Sequence, residues 1–236
     1  ISTLLAAVIT IAVLAFIGYQ GLQPPNNHWG WFYNERNSNR LNEDKTSWPA
    51  TKFTEAFVAN TRKAELNIKG GATSYKLVDT TLNLFDAEVK QHYGSYILEK
   101  KTRDSIEVLT FRMRNNKSKW NMDDFDGNEA IISLNSNPLW NINVEVGAGE
   151  TDFDLTAFKV ETIRLKGGAA SFNVKLGEPE TVTSVFVEAG VAEVDVEIPS
   201  TAGCRITVES GLSSKEFEGF VKQPDGTYTT NNFNST

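Results

Sequence analysis

The sequence has few of the side chains that metal sites, redox sites and disulfide scaffolds require. It contains one cysteine, Cys204, and two histidines, His28 and His92, in 236 residues. A single cysteine cannot form an internal disulfide, and so few thiols and imidazoles leave little material for a zinc or iron site. No P-loop, Rossmann glycine pattern or zinc-ligand spacing is present. We therefore predict no cofactor and no metal site.

A dominant basic charge is also missing. The net charge is −7, whereas a nucleic-acid-binding protein needs a basic face to neutralise phosphates. Nucleic acid is therefore excluded as the main partner. The hydrophobic fraction of 40% is sufficient for a buried core, and the many valine, threonine and phenylalanine residues favour strands over helices.

Charged side chains are absent from the beginning of the chain up to Glu35. As a helix, the apolar stretch would be about 26–30 Å long, which matches the hydrocarbon core of a bilayer. We predict a transmembrane helix over residues 1–22. A signal peptide and a buried helix are the alternatives, but the basic region and cleavage site of a signal peptide are lacking. Aromatic side chains gather at the exit, and four are predicted to lie at the membrane interface: Phe16, Tyr19, Trp29 and Trp31.

Residues 23–52 are predicted to be a juxtamembrane linker. They contain Pro24-Pro25, several asparagines and aromatic residues, and little periodicity. The remaining residues, 53–236, are predicted to form a single β domain.

The main signal in this domain is a repeated unit of two short alternating strands with glycine between them. The glycines of four consecutive units, Gly149, Gly168, Gly190 and Gly211, are 19, 22 and 21 residues apart. An earlier unit contains Gly71. The strand pairs are 66–68 with 71–77, 142–146 with 149–155, 163–165 with 168–174, 185–187 with 190–196, and 206–208 with 211–217.

The spacing within a unit predicts a corner. The last apolar residue of the first strand and the first apolar residue of the second are seven positions apart, as in Val146 and Phe153. Seven is odd, so an uninterrupted strand would place the two apolar sets on opposite faces. Both sets can face one core only if the chain turns at the glycine. Units of about 20 residues that each turn a corner predict a single-stranded β-helix-like solenoid, with regular coils at about 142–217.

Two parts of the domain depart from this regularity. Lys215 stands where the fourth unit should have an inward apolar residue, which indicates a frayed or capping coil. Residues 78–141 contain strand-like runs at 81–89, 96–98, 106–113 and 130–134, and either degenerate coils or an inserted hairpin would explain them. A hairpin meander is the rival fold, but only Pro224-Asp225-Gly226 is a strong turn signal.

The units at 142–217, with glycine corners followed by strands such as Phe172-Asn-Val174 and Val194-Asp-Val196, resemble the toast-rack domains labelled putative adhesins. They are also similar to the C-terminal domain of LiaF-type cell-wall-antibiotic response membrane proteins. The resemblance implies a mainly β toast-rack solenoid preceded by one transmembrane helix, in a bacterial envelope protein that acts by contact. It supplies no catalytic residues.

Several local features were weighed as possible sites. The acidic stretch 123–129 lacks two ligands of an EF-hand-like calcium loop, at Met122 and Ser133, and is read as a solvated turn. Acids such as Asp152 and Asp154 alternate with apolar residues, which indicates an outward strand face and not a glycosidase pair. His28 and His92 have no evident nucleophile partner, and Cys204 is expected to be a small buried or half-buried residue.

A basic segment is the one predicted interaction patch. Its members could contact anionic lipid, an anionic wall polymer or the acidic face of a neighbouring subunit. The patch consists of Lys100, Lys101, Arg103, Arg112, Arg114, Lys117 and Lys119.

Together these observations predict a non-enzymatic bacterial envelope protein, anchored in the plasma (inner) membrane, with the side of its domain left open. Its β-solenoid is expected to act as a scaffold or protein-interaction module. The expected partners are the lipid bilayer and a protein or a second copy of the chain, and no small-molecule substrate is inferred. A regulator of envelope-stress signalling that binds a membrane sensor kinase is one alternative. A polysaccharide-binding or polysaccharide-active envelope protein is the other.

Overall fold

The computed structural model describes residues 6–13, 50–114, 127–180, 182–210 and 216–233. Strands dominate these residues, as the composition predicts. In chain order the strands are β1 (Ala6–Val13), β2 (Ala50–Glu55), β3 (Lys63–Thr80), β4 (Phe85–Lys90), β5 (Ser95–Arg103), β6 (Ile106–Arg114), β7 (Asn128–Leu134), β8 (Leu139–Leu155), β9 (Lys159–Leu176), β10 (Val182–Glu197), β11 (Gly203–Ser210), β12 (Phe220–Lys222) and β13 (Tyr228–Thr230).

Four long strands form the centre of the fold. β3, β8, β9 and β10 are parallel neighbours in that order, and each is one predicted unit. Equivalent positions align across the stack, so that Leu66 pairs with Ile142, Ile142 with Ile163, and Ile163 with Val185. We call the first halves of these strands and their neighbours row A, and the second halves and their neighbours row B.

The predicted change of parity between the two halves of each long strand is confirmed, but the corner of β8 was assigned to the wrong glycine. The register aligns Gly147, and not Gly149, with Gly71, Gly168 and Gly190, while Gly149 pairs with Thr73 and Ala170 two residues further along. In β8, Ile142, Val144 and Val146 are buried in row A, whereas the buried residues of row B include Phe153 and Leu155. β3 and β9 show the same switch between their halves. Because both rows direct these residues inward, they share one hydrophobic core.

The irregular region 78–141 contains both of the arrangements that the sequence left open. β6 pairs parallel with row A of β3, and β7 pairs parallel with row B, so together they form one degenerate coil. β5 pairs antiparallel with β6, and β4 pairs antiparallel with β7. The β5–β6 hairpin turns at Asp104 and Ser105, whose φ values are 51° and 67°, which suits a tight two-residue hairpin turn.

Aromatic side chains close this end of the core. The Phe111 ring is fully buried and lies 5.2–5.4 Å, centroid to centroid, from the rings of Phe53, Phe85 and Tyr96. These rings come from β2, β4, β5 and β6, so the outermost antiparallel strands are packed onto the parallel stack. β2 begins at Ala50, slightly before the domain start predicted at residue 53.

The opposite end of the stack is only partly built as predicted. Ile206 and Val208 lie in β11, but Phe217, which was predicted in the second strand of this unit, lies outside any strand. In a regular coil Lys215 would face inward, and burying an ammonium group is costly. Residues 211–215, which include the predicted corner Gly211, lie outside the described residues. β13 pairs antiparallel with β11, and β12 pairs with β13. The predicted turn at Pro224-Asp225-Gly226 joins β12 to β13, and Gly226 has a φ of 86°.

The N-terminal segment differs in part from the predicted helix. Residues 6–13 form β1, which pairs parallel with β10 on one side and β11 on the other. The sequence AAVITIAV is rich in β-branched residues, and a place between two parallel strands satisfies both edges of its backbone. Residues 1–5 and 14–22 lie outside the described residues. No helix in the described part of the chain is long and apolar enough to cross a membrane.

We expect a sharp difference between Gly147, at the corner of β8, and Gly149, two residues beyond it. A Cβ at residue 149 would overlap the Thr73 carbonyl oxygen of the neighbouring strand, whereas one at residue 147 would stay 3.7 Å from its nearest atom. We expect Gly149→Ala to lower the free energy of unfolding by about 1–3 kcal/mol. The matched variant Gly147→Ala should change it by less than about 0.5 kcal/mol. Urea unfolding of both variants tests this, and equal losses would contradict the close approach.

Candidate interaction surfaces

The outer face of the stack carries ion pairs that run from strand to strand. Lys166 pairs with Glu188 at 2.7 Å, and Lys69 with Glu145 at 3.0 Å. Each pair joins neighbouring parallel strands, because equal register brings outward side chains side by side. Such exposed pairs contribute only about 0–1 kcal/mol each. Their main effect is to neutralise charge along the central part of this face.

The predicted basic patch is divided between two faces of the β5–β6 hairpin. Lys101, Arg103, Arg112 and Arg114 lie on the outer face, opposite to the buried Phe111. Arg112 pairs with Glu99 at 3.2 Å, and Arg103 with Glu65 at 3.7 Å. The positive charge of the outer part of the patch is therefore partly neutralised. Lys117 and Lys119 lie outside the described residues.

Lys100 has a different environment from the rest of the patch. It lies on the same face of β5 as the buried Tyr96 and is 2.7 Å from Glu55 and 3.6 Å from Glu107. The hydrogen bond from Lys100 to Glu55 raises the pKa of Lys100. This lysine thus joins β5 to β2 at the margin of the core, and it is less available to a partner than the sequence predicts.

A buried polar network at the corner of β3 was not identified from the sequence. Asn128 is 1% exposed; its Oδ1 accepts hydrogen bonds from the backbone N–H groups of His92 (2.8 Å) and Tyr93 (3.2 Å). Its Nδ2 donates to the Tyr93 carbonyl at 3.0 Å. Nearby, the hydroxyls of Thr73 and Tyr96 share a hydrogen bond of 2.7 Å, and burial raises the pKa of Tyr96. The network fastens the loop between β4 and β5 to the stack.

Some of the other candidate residues from the sequence lie among the described residues, and their positions there are structural. Asn128, in the suspected calcium loop, uses its side chain in the network above, and residues 115–126 lie outside the description. Cys204 is fully buried, and burial raises its pKa to about 12, so it is the small buried residue that was predicted. In the described ranges, no group of three or more acidic, histidine or cysteine side chains could hold a metal ion. His28 and the predicted interface residues Phe16, Tyr19, Trp29 and Trp31 are not among the described residues.

A groove lies where the stack ends unevenly. Row A continues past β10 through β1, β11, β13 and β12, whereas among the described strands row B ends with β10. The groove has a volume of about 890 Å³. Its apolar lining comes from both rows and from the segment before β12: Val194, Val196, Ile198, Ala202, Ile206, Phe217 and Phe220.

Residues 35–197 match the family described as "N-terminal domain of toast_rack, DUF2154". The chain belongs to this family. The match covers the central toast-rack strands β3, β8, β9 and β10, which confirms the resemblance inferred from the glycine corners.

Two solved structures are similar to this toast-rack chain. A putative cell adhesion protein from Clostridium sporogenes has a TM-score of 0.71 and 20% identity, with 80% of this chain and 91% of that chain covered. At this identity the likeness shows the fold alone. A putative adhesin from Bacteroides fragilis has a TM-score of 0.22 and 9% identity, with 63% of this chain and 96% of that chain covered. The search of curated proteins finds no match.

The corner network predicts a stability effect at Asn128. Asn128→Ala removes the side-chain acceptor of the partly buried backbone N–H groups of residues 92 and 93, so we expect the free energy of unfolding to fall by about 1–3 kcal/mol. Asn173→Ala removes one exposed hydrogen bond to Asp152 and should cost less than about 0.5 kcal/mol. Urea unfolding of the two variants provides the comparison. Similar small losses for both would show that the network does not fasten the loop.

Proposed function

We propose that this toast-rack protein is a membrane-anchored component of the bacterial envelope whose β domain is a non-catalytic scaffold or protein-interaction module. The proposal places it in the plasma membrane and leaves the side of the domain open. The single observation that supports this proposal is the way the stack divides its side chains between the core and the outer faces. Inward positions of β3, β8 and β9 fill the core, so partners must use the outer faces and the ends.

The outer faces suit contact with a large partner. They consist of aligned rows of polar side chains, such as Asp152 next to Asn173 next to Asp195. A row repeats at the spacing of neighbouring strands, about 4.8 Å, and offers an extended surface of regular charge. Family membership and the shared fold of the putative cell adhesion protein from Clostridium sporogenes support an interaction role.

The register around β1 is compatible with an N-terminal segment that leaves the domain for a bilayer. Ile9 pairs with Val185 on one side and with Ile206 on the other. Val185 and Ile206 are 21 residues apart, which is close to the 22-residue offset between Ile163 and Val185 in the directly paired β9 and β10. β10 and β11 could therefore pair directly, without a register shift, if residues 1–22 formed the proposed transmembrane helix.

Purification of the full chain from native membranes in a mild detergent tests the interaction role. A scaffold should elute as an assembly of defined stoichiometry, either with itself or with a co-purified partner. Recovery of a sensor kinase as the partner would favour the regulatory variant of this role. A chain that emerges alone and monomeric would contradict the proposal.

Membrane anchoring predicts that a charge in the apolar segment reduces vesicle binding. A lysine at the centre of a membrane helix costs about 2.5–3.5 kcal/mol, so Ile11→Lys should lower co-flotation with phosphatidylglycerol-containing vesicles by more than about tenfold. The control Val221→Lys, at a position that is 52% exposed in β12, should float like the unmodified chain.

A different outcome would assign the segment to the sheet. If Ile11→Lys floated normally but lowered the free energy of unfolding, residues 6–13 would act as a strand and not as an anchor. Measuring flotation and urea unfolding on the same preparations separates the two cases.

A further inference from the structure

One side of β10 in row B, with which no described strand pairs, has the features of a site for an added strand. Residues 191–197 pair with β9 on one side, and no described strand pairs with their other side. An unpaired edge presents backbone N–H and C=O groups that can extend the ladder. Seven residues are enough for a strand of ordinary length.

Burial along the inward positions shows that the core is incomplete here. Phe172 and Val174 of β9 are 1% and 0% exposed, but the aligned Val194 and Val196 of β10 are only partly buried. The apolar groove therefore lies next to the free edge, and a strand with inward apolar side chains would cover both.

The chain's own next coil is a poor occupant of this place. At the 21-residue offset between β10 and β11, a regular continuation would put Lys215 beside Val194, facing inward. Burial of that ammonium group would oppose pairing. In the structure Phe217 instead packs on Phe220 and Tyr228, with ring centroids 6.3 and 4.7 Å away.

A second copy of the same edge is also a poor occupant. Glu193, Asp195 and Glu197 face outward on this strand and are exposed. Antiparallel pairing of two such edges, with valines kept inward, would place acids opposite acids, and like charges in that position destabilise a sheet. Only Glu197 has an ion-pair partner among the described residues, namely Lys175 at 3.5 Å.

We propose that this edge binds an extended peptide segment of a partner protein in which apolar residues alternate with lysine or arginine. The apolar side chains would fill the groove against Val194, Val196 and Ile206. The basic side chains would lie beside Glu193 and Asp195, and Glu216 and Glu218 of the groove add to the negative field. This is strand addition, in which the backbone supplies affinity and alternate side chains supply specificity. The inference rests on the proposed interaction role and names its site.

Fluorescein-labelled peptides allow a direct test with the full chain in nonionic detergent, with detergent alone as the blank. The probes are Lys-Val-Lys-Val-Lys-Val-Lys, the same sequence with glutamate in place of lysine, and the lysine peptide with N-methylated backbone amides. Fluorescence anisotropy should show binding of the first probe alone. The N-methylated probe keeps the charge but cannot extend the ladder, so it separates strand addition from simple charge attraction.

Two matched variants locate the site. Asp195→Lys should weaken binding of the lysine peptide by about fivefold or more, since a cross-strand charge pair is lost and reversed. Asp152→Lys alters the same row of the same face two strands from the edge and should change binding by less than about twofold. Both positions are outward, and urea unfolding midpoints confirm that both variants fold.

Three results would overturn the inference. Equal binding of the N-methylated probe would show that charge attraction alone accounts for the binding. Equal losses in both variants would place the peptide elsewhere. No binding of any probe would mean that the chain's own residues cover the edge. In each case a partner recovered in the membrane purification would still support the interaction role, so failure of the site is distinguishable from failure of the function.

Discussion

The fold depends on one geometric constraint, which is that every long strand must change the parity of its inward residues at its corner. Side chains alternate along a strand, so a bent strand can supply both walls of one core only if an odd step separates the two apolar sets. In β8 the last inward residue of row A is Val146, and Phe153 is its counterpart in row B. The step occurs at Gly71, Gly147, Gly168 and Gly190, which occupy the position that the register of neighbouring strands skips.

The ends of the stack follow from the same constraint and are built differently. At one end, β2, β4 and β5 run antiparallel to their neighbours, and aromatic rings surround Phe111, so the core is closed. At the other end a closing coil would need an apolar residue where Lys215 stands. Row A is covered by β11 and the β12–β13 hairpin, but row B ends at β10 among the described strands. In the described part of the chain, a strand edge, an apolar groove and a row of acidic side chains therefore coincide at this end.

The sequence predicted what is local and missed what depends on distant partners. The units, the change of parity and the Pro224-Asp225-Gly226 turn could be predicted because alternation and glycine spacing act within about 20 residues. The corner of β8 was misplaced by two residues, because Gly147 and Gly149 are both glycines and only the pairing with β3 and β9 distinguishes them. The position of β3, with β8 on one side and the coil formed by β6 and β7 on the other, could not be predicted. A repeat determines the shape of each unit but not which units become neighbours in the stack. Asn128 was likewise missed, because its partners His92 and Tyr93 lie about 35 residues away in the chain. The inward position of Lys100 could not be predicted without the pairing of β5 with β6.

The N-terminal segment illustrates why an apolar run alone does not determine a conformation. Residues 6–13 need hydrogen-bond partners for every backbone group wherever they are sheltered from water. Between β10 and β11 these partners come from two strands, and in a bilayer they come from the segment itself as a helix. The strand pairing uses β-branched residues well, whereas the uncharged length of residues 1–22 suits hydrocarbon. If the segment left, β11 would have to move towards β10 by about one strand spacing, roughly 4.8 Å, but the register along the two strands would not change. The structure shows the strand, and the register of β10 and β11 is also compatible with the proposed transmembrane helix.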